Sequence, residues 1–255
     1  MKINGKTLVA TGGASGFGEV CIRRFHAAGA SVVICDLNEE RGKAIEKELG
    51  EKCLFVKTDV TSEADVSALC AAAVKKFGAI HILVNCAGIA PPKRILGKEG
   101  PIPLDDFKKV ININLIGTFN TLSKVAWEMS KNTTDEDEER GVIINTASAA
   151  AFEGQIGQAA YSASKGGIVS LTLTAARDLA RNAIRVCTIA PSTFLTPMAD
   201  TLSAEVIESL ARQVPFPQRL GNPAEFGSLV QFMVENGYMN GETVRLDGAV
   251  RMGPR

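Results

Sequence analysis

The feature that most constrains this chain lies within its first eighteen residues. A short apolar run at 7–10 passes directly into Thr11-Gly12-Gly13-Ala14-Ser15-Gly16-Phe17-Gly18, and helical composition follows. Glycine tolerates positive φ and, having no Cβ, lets the backbone come close to a bound group. A helix starting at such a turn adds unpaired N–H donors and the positive end of its dipole, so the arrangement favours a phosphate. A strand–turn–helix context is the one a dinucleotide-binding βαβ unit demands. Taken alone, the G-x3-G-x-G spacing also fits a tight turn that binds nothing.

The rest of the chain has the matching rhythm. Candidate strands at 7–10, 31–35, 53–58, 82–85, 142–146, 184–189 and 243–246 alternate with helical stretches at 18–28, 39–49, 64–77, 104–129, 159–182, 204–213 and 223–235. Strand–helix alternation of this kind builds a parallel sheet covered on both faces, and it runs without a break. The expectation is one α/β domain over 1–255, a Rossmann-type doubly wound sheet flanked by helices. Two stretches read as excursions: 90–103, with four prolines and the cations Lys93, Arg94 and Lys98, and 132–140, with the acidic run 135–139. The second reads as a solvated surface loop.

Composition removes several classes. Lys plus Arg and Asp plus Glu number 28 each, so the formal charge is zero and no basic footprint marks a nucleic-acid or anionic-membrane surface. No apolar run approaches the roughly 18 residues that span a bilayer. Because residues 1–12 already read as strand and turn, no room is expected for a signal peptide or an Arg-rich presequence. The six cysteines contain no CxxC pair and read as buried reduced thiols. With only His26 and His81, both in structural positions, no metal site is expected.

Three residues carry the chemistry. Tyr161 and Lys165, four apart in a helical segment, fall on one helix face, and Ser148 closes a candidate strand thirteen residues earlier. Ligands of open α/β sheets bind at strand carboxyl ends. A phenol has an ordinary pKa of about 10, and a neighbouring ammonium or a cationic ring would lower it towards use as a proton donor and acceptor. Ser148 would orient a substrate oxygen. The trio suffices for carbonyl–alcohol interconversion, although the Tyr–Lys pair alone also fits a solvated helix face. Asp36, at the end of the second candidate strand, suits ribose hydroxyls and repels a 2′-phosphate, which favours NAD over NADP; Arg41 is the nearby cation.

The glycine-rich turn, Asn85-Cys86-Ala87-Gly88, Asn114, Ser148 and Tyr161-Ser162-Ala163-Ser164-Lys165 together resemble the short-chain dehydrogenase/reductase family across essentially the whole chain. Residues 141–148, 151–155, 213–217 and 245–249 resemble members acting on 3-hydroxyacyl-CoA. The resemblance implies a seven-stranded sheet, a homotetramer and a Ser148–Tyr161–Lys165 site, with Asn114 supporting a proton relay or, alternatively, serving as a polar helix residue with a local partner. It implies cofactor contacts at Gly12, Ser15, Gly16, Phe17, Gly18, Asp36, Asp59, Val60, Cys86, Gly88, Tyr161, Lys165, Phe194 and Thr196, and substrate contacts at Ser148, Gln155 and Tyr161.

Asp59 reads either as an acceptor near the adenine amino group or as a helix cap. Residues 192–218 resemble a substrate lid, with Met198, Leu202, Val206, Leu210 and Phe216 as its apolar positions or simply as core. Lys93, Arg94 and Lys98 would meet coenzyme A phosphates or form ordinary solvated surface. One departure is Ser192 after Pro191, where the family carries glycine. The implied reaction interconverts 3-hydroxyacyl-CoA and 3-oxoacyl-CoA with NAD. The rivals are an NAD(P)-linked reductase of a 3-oxoacyl carrier protein, a steroid or a small secondary alcohol, and a scaffold in an RNA-processing complex. The implied compartment is the mitochondrial matrix in a eukaryote and the cytoplasm in a bacterium.

Overall fold

The structure, a computed structural model, describes residues 1–98, 100–196 and 203–254. Pro197, Met198 and Leu202 of the expected lid lie outside the described residues. Seven strands form one parallel sheet: β1 (Thr7–Thr11), β2 (Ser31–Asp36), β3 (Cys53–Lys57), β4 (Ile82–Asn85), β5 (Gly141–Thr146), β6 (Ile184–Pro191) and β7 (Thr243–Leu246), in the order β3-β2-β1-β4-β5-β6-β7. The helices are α1 (Gly16–Ala27), α2 (Glu39–Leu49), α3 (Glu63–Phe77), α4 (Leu104–Ile111), α5 (Gly117–Met129), α6 (Ala159–Leu179), α7 (Ala204–Arg212) and α8 (Pro223–Glu235).

The central strands β1, β4, β5 and β6 are buried along their whole length, which is why they read as continuous apolar runs. Alternate residues feed two cores. Leu8, Val32, Ile82 and Ile144 pack with Ile22 and Phe25 of α1 and Phe226 and Val230 of α8 on one face. Val9, Val33, Leu83 and Ile143 pack with Leu69 of α3, Val125 of α5 and Ala176 of α6 on the other. Local chemistry sets the helix starts: Asn38 caps α2, Ser62 caps α3, and Asn222 with Glu225 forms a capping box around Pro223 at the start of α8. The chain leaves β1 towards β2 and β3, then returns to place β4 on the other side of β1. The loops after β1 and β4 therefore diverge and open a crevice at the strand carboxyl ends.

The stretch expected as one helix over 104–129 is interrupted by a π turn, Asn112–Ile116, between α4 and α5. Wide turns of this kind commonly mark functional positions, and Asn114 lies in it. The acidic run is also more than solvated surface. Glu139 and Arg185 are 7% and 6% exposed and paired through both carboxylate oxygens at 2.5 and 3.2 Å. Arg185 also donates to the carbonyls of Met233, Val234 and Met239. Arg185→Met is expected to leave Glu139 with only the Met1 ammonium, 3.3 Å from its Oε2, and cost about 1–3 kcal/mol, measured by urea unfolding; a loss under about 1 kcal/mol would count against this role.

His81 is structural, as its position implied. Its Nδ1 accepts from Thr7 N at 3.2 Å, and burial pushes its pKa down to about 4. All six cysteines are free thiols.

Candidate active site

The crevice at the strand carboxyl ends is a cleft of about 1070 Å³. Every site residue expected from the sequence lines it except Asn114, which is fully buried behind it. Its floor is the turn after β1. Gly12 and Gly16 adopt positive φ (62° and 51°), and a Cβ on Gly18 would lie 2.2 Å from the Gly12 carbonyl oxygen, so this turn admits no side chain there. Phe17 stacks on Phe226 (4.2 Å, 17°) and meets Phe194 edge-on (5.1 Å), joining the turn to α8 and to the loop after β6.

At one end of the cleft stands Asp36. Its carboxylate oxygens accept from Ala14 N (3.0 Å) and Asn38 N (2.9 Å), which fixes the side chain beside the glycine-rich turn. Asp59 Oδ1 accepts from Thr61 N and Oγ1 at 2.9 and 2.7 Å. The cap of α3 is Ser62, so the capping alternative for Asp59 is set aside. Val60, Cys86 and Gly88 continue the wall, and Phe194 and Thr196 face it from the β6 loop.

At the other end lie Ser148, Tyr161 and Lys165. Ser148 Oγ accepts from Ala150 N (3.1 Å) and lines the cleft together with Tyr161. Lys165 Nζ donates to the Thr146 carbonyl at 2.6 Å and lies 5.8 Å from the centre of the Tyr161 ring. Burial holds the Lys165 pKa down at about 8. In the chain without cofactor, burial raises the Tyr161 pKa, and the Ser148 hydroxyl only partly offsets this. The protein alone thus favours the protonated phenol, because a buried phenolate loses its hydration.

Asn114 is engaged on every side. Its Oδ1 accepts from Ile89 N (2.8 Å), and its Nδ2 donates to the Ile89 carbonyl (2.9 Å) and to Ser164 Oγ (3.0 Å). It ties the loop after β4 to α6 through the π turn. Gly88 sits between the two groups: a Cβ there would lie 3.1 Å from Asn114 Oδ1 and 3.7 Å from Lys165 Nζ.

Other expectations shift. Lys93 pairs with Asp106, and none of Lys93, Arg94 and Lys98 lines the cleft. Besides Lys165, the lysines that do are Lys108 and Lys109 of α4, whose helical setting hid them among surface charges. Gln155 lines the cleft, and its Nε2 donates to the Gly253 carbonyl at 3.2 Å. It thereby holds a segment that brings Met252, unmarked in the sequence, to the cleft wall. Ser192 keeps ordinary backbone geometry, which needs no glycine, and donates its N–H to the Leu246 carbonyl (3.1 Å). Among the described residues no cluster of metal-ligating side chains occurs, and no helix is long and apolar enough to cross a membrane.

The cleft fits a dinucleotide on its own terms. It has a glycine-rich turn at a helix N-terminus for a pyrophosphate, a fixed carboxylate for ribose hydroxyls, and a phenol–ammonium pair at the far end. The profile of the short chain dehydrogenases matches residues 6–206, and the chain belongs to that family of oxidoreductases. The 3-hydroxyacyl-CoA dehydrogenase type-2 of Bos taurus is 54% identical over 254 residues, covering 99% of this chain and 97% of the relative. Among solved structures, 3-hydroxyacyl-CoA dehydrogenase type-2 from Mycobacterium avium matches with a TM-score of 0.95 at 43% identity over 100% of both chains. A 3-ketoacyl-(acyl-carrier-protein) reductase from Brucella melitensis complexed with NADH matches with a TM-score of 0.87 at 30% identity, over 98% of this chain and 100% of that one.

Proposed function

We propose that the chain interconverts 3-hydroxyacyl-CoA and 3-oxoacyl-CoA with NAD as cofactor. The observation that carries the reading is one continuous cleft with Asp36 and the glycine-rich turn at one end and Ser148, Tyr161 and Lys165 at the other. Full-length similarity to the 3-hydroxyacyl-CoA dehydrogenases type-2 supports the substrate class over the carrier-protein, steroid and small-alcohol readings.

When bound, the dinucleotide gives or takes the hydride at the substrate carbon. The chain's own residues handle the proton. Ser148 hydrogen-bonds the substrate oxygen and holds it against Tyr161. In the reducing direction the phenolic O–H bond breaks and its proton goes to the carbonyl oxygen. Lys165 stands beside the resulting phenolate, and the Thr146 carbonyl fixes the lysine's position. Reduction uses the protonation state that burial already favours. Oxidation needs the phenolate, and the Lys165 ammonium is the charge this chain supplies for it.

Acetoacetyl-CoA should be reduced with NADH, with much lower kcat/KM for a steroid or a small free ketone. Turnover of the ketones without the thioester would overturn the substrate reading, and RNA binding without any turnover would favour a scaffold. NADH should be preferred to NADPH. Asp36→Asn is expected to weaken NADH about tenfold by weakening charge-assisted ribose hydrogen bonds; equal kcat/KM for both cofactors in the unaltered protein would refute the role of Asp36.

The proposal includes a homotetramer. Ile116, Phe119 and Trp127 share one face of the α5 segment and are 51%, 52% and 66% exposed, and Leu173 of α6 is 46% exposed. Light scattering should report about four times the 27.0 kDa chain mass, and a monomer would remove this part. The accompanying compartment is the mitochondrial matrix in a eukaryotic source and the cytoplasm in a bacterial one.

A further inference from the structure

We propose that Glu19 is a second determinant of cofactor choice, acting by occupying Arg41; the inference rests on reading the cleft as an NAD site. Arg41 belongs to the first turn of α2, yet its guanidinium reaches across to the glycine-rich turn. Its Nε donates to the Ala14 carbonyl at 2.6 Å, and one of its terminal nitrogens donates to Glu19 Oε2, also at 2.6 Å. Ala14 N–H in turn donates to Asp36 Oδ2 at 3.0 Å. A single residue of the turn is therefore held by the ribose-directed carboxylate on one side and by a cation on the other.

An arginine so close to the ribose acceptor is the group a 2′-phosphate would recruit, because its planar fork pairs with phosphate oxygens. Here Nε and one terminal nitrogen of the fork are already engaged, and the charge is paired with Glu19. Glu19, whose side chain is 13% exposed, accepts from Arg41 through Oε2 and from Arg23 Nε through Oε1 at 2.9 Å. Arg23 continues to both oxygens of Glu48 at 2.6 and 2.9 Å. The ladder Arg41–Glu19–Arg23–Glu48 alternates in sign and sums to zero, so no uncompensated cation stands next to Asp36.

Two separate effects then exclude a 2′-phosphate. Asp36 repels it at the ribose, and Glu19 removes the attraction that Arg41 would otherwise supply. Removing Asp36 alone abolishes the repulsion and still leaves Arg41 quenched. Both arginines reach water, at 38% and 53% exposure, and Gln keeps the size of Glu19 and its acceptor oxygen, so Glu19→Gln is expected to fold normally.

Equilibrium binding of NADH and NADPH, read by nicotinamide fluorescence, tests this without turnover. The proteins are wild type, Asp36→Asn, Asp36→Asn/Glu19→Gln, and that double variant with Arg41→Leu added. The double variant should bind NADPH about fivefold more tightly than Asp36→Asn, the scale of one exposed charge pair. Its NADH affinity should differ from that of Asp36→Asn by less than about twofold, because NADH has no 2′-phosphate for Arg41 to meet. Adding Arg41→Leu should erase the NADPH gain. Equal NADPH affinity in Asp36→Asn and the double variant, or a gain that survives loss of Arg41, would overturn the proposal. A wild-type protein that binds neither dinucleotide would overturn the NAD reading, and this inference with it. Thermal melting of each variant separates misfolding from altered affinity.

Discussion

Tyr161→Phe is expected to lower kcat by about 10²–10⁴ or more, the range of a lost general acid–base group, while NADH still binds. The substitution removes one oxygen and one proton from a ring that is otherwise kept, so packing against Lys165 survives. Among the described residues, Tyr161 is the one phenol lining the cleft, at the same end as Ser148 and Lys165. Single-turnover kinetics with acetoacetyl-CoA should show the loss in the chemical step, with the NADH dissociation constant within about twofold of wild type. Retention of more than about a tenth of wild-type kcat would remove Tyr161 from proton transfer.

Lys165→Met should combine a loss of turnover with a change in how stability depends on pH. Lys165 is 5% exposed, and its pKa is held down at about 8 against an ordinary 10.5 because burial disfavours the ammonium. Between these two values the unfolded chain binds more protons than the native one, so the lysine's contribution to stability grows as pH rises. It is fully present above about 10.5 and lost as pH falls through about 8. Relative to Lys165→Met, the wild-type protein without cofactor should gain about 3 kcal/mol between pH 7 and 10.5, from about 1.4 kcal/mol per pKa unit. Denaturation of both proteins across this range measures the difference. Parallel stability curves would show that the lysine is not destabilised by burial, and that the Thr146 carbonyl compensates fully for lost hydration. Survival of turnover in Lys165→Met would remove its role beside the phenol.

The parts of the molecule legible in the sequence are those with a local signature. Strands buried on both faces read as apolar runs, and four of the seven helix stretches, 39–49, 64–77, 204–213 and 223–235, agree with the structure within about one residue, while the last three residues of 159–182 form a tighter 3-10 turn. The 18–28 stretch begins two residues earlier, at Gly16, because the glycine-rich turn is itself the first turn of α1. The 104–129 stretch failed at its centre for a different reason. Nothing in Asn112-Ile113-Asn114-Leu115-Ile116 signals a π turn, and helical periodicity continues through it. The widening accompanies Asn114 hydrogen-bonding the backbone at Ile89 and the side chain of Ser164, residues 25 and 50 positions away.

The sequence by itself determined the doubly wound topology, the glycine-rich turn, Asp36 and the Ser148–Tyr161–Lys165 set. Each depends on a period, a spacing or a strand end, and those properties are local to the chain. Tertiary structure alone decided what depends on burial and on distant partners. It made Glu139 a buried counterion for Arg185 rather than part of a solvated loop. It put Lys108 and Lys109, not the 93–98 loop, along the cleft, and carried Met252 to its wall. It raised the Tyr161 pKa where the neighbouring lysine had suggested lowering it, because loss of hydration outweighs what the neighbours supply. And it closed Glu19 onto Arg41 across 22 residues, a pairing that charge and spacing leave undetermined until two helices meet beside one turn.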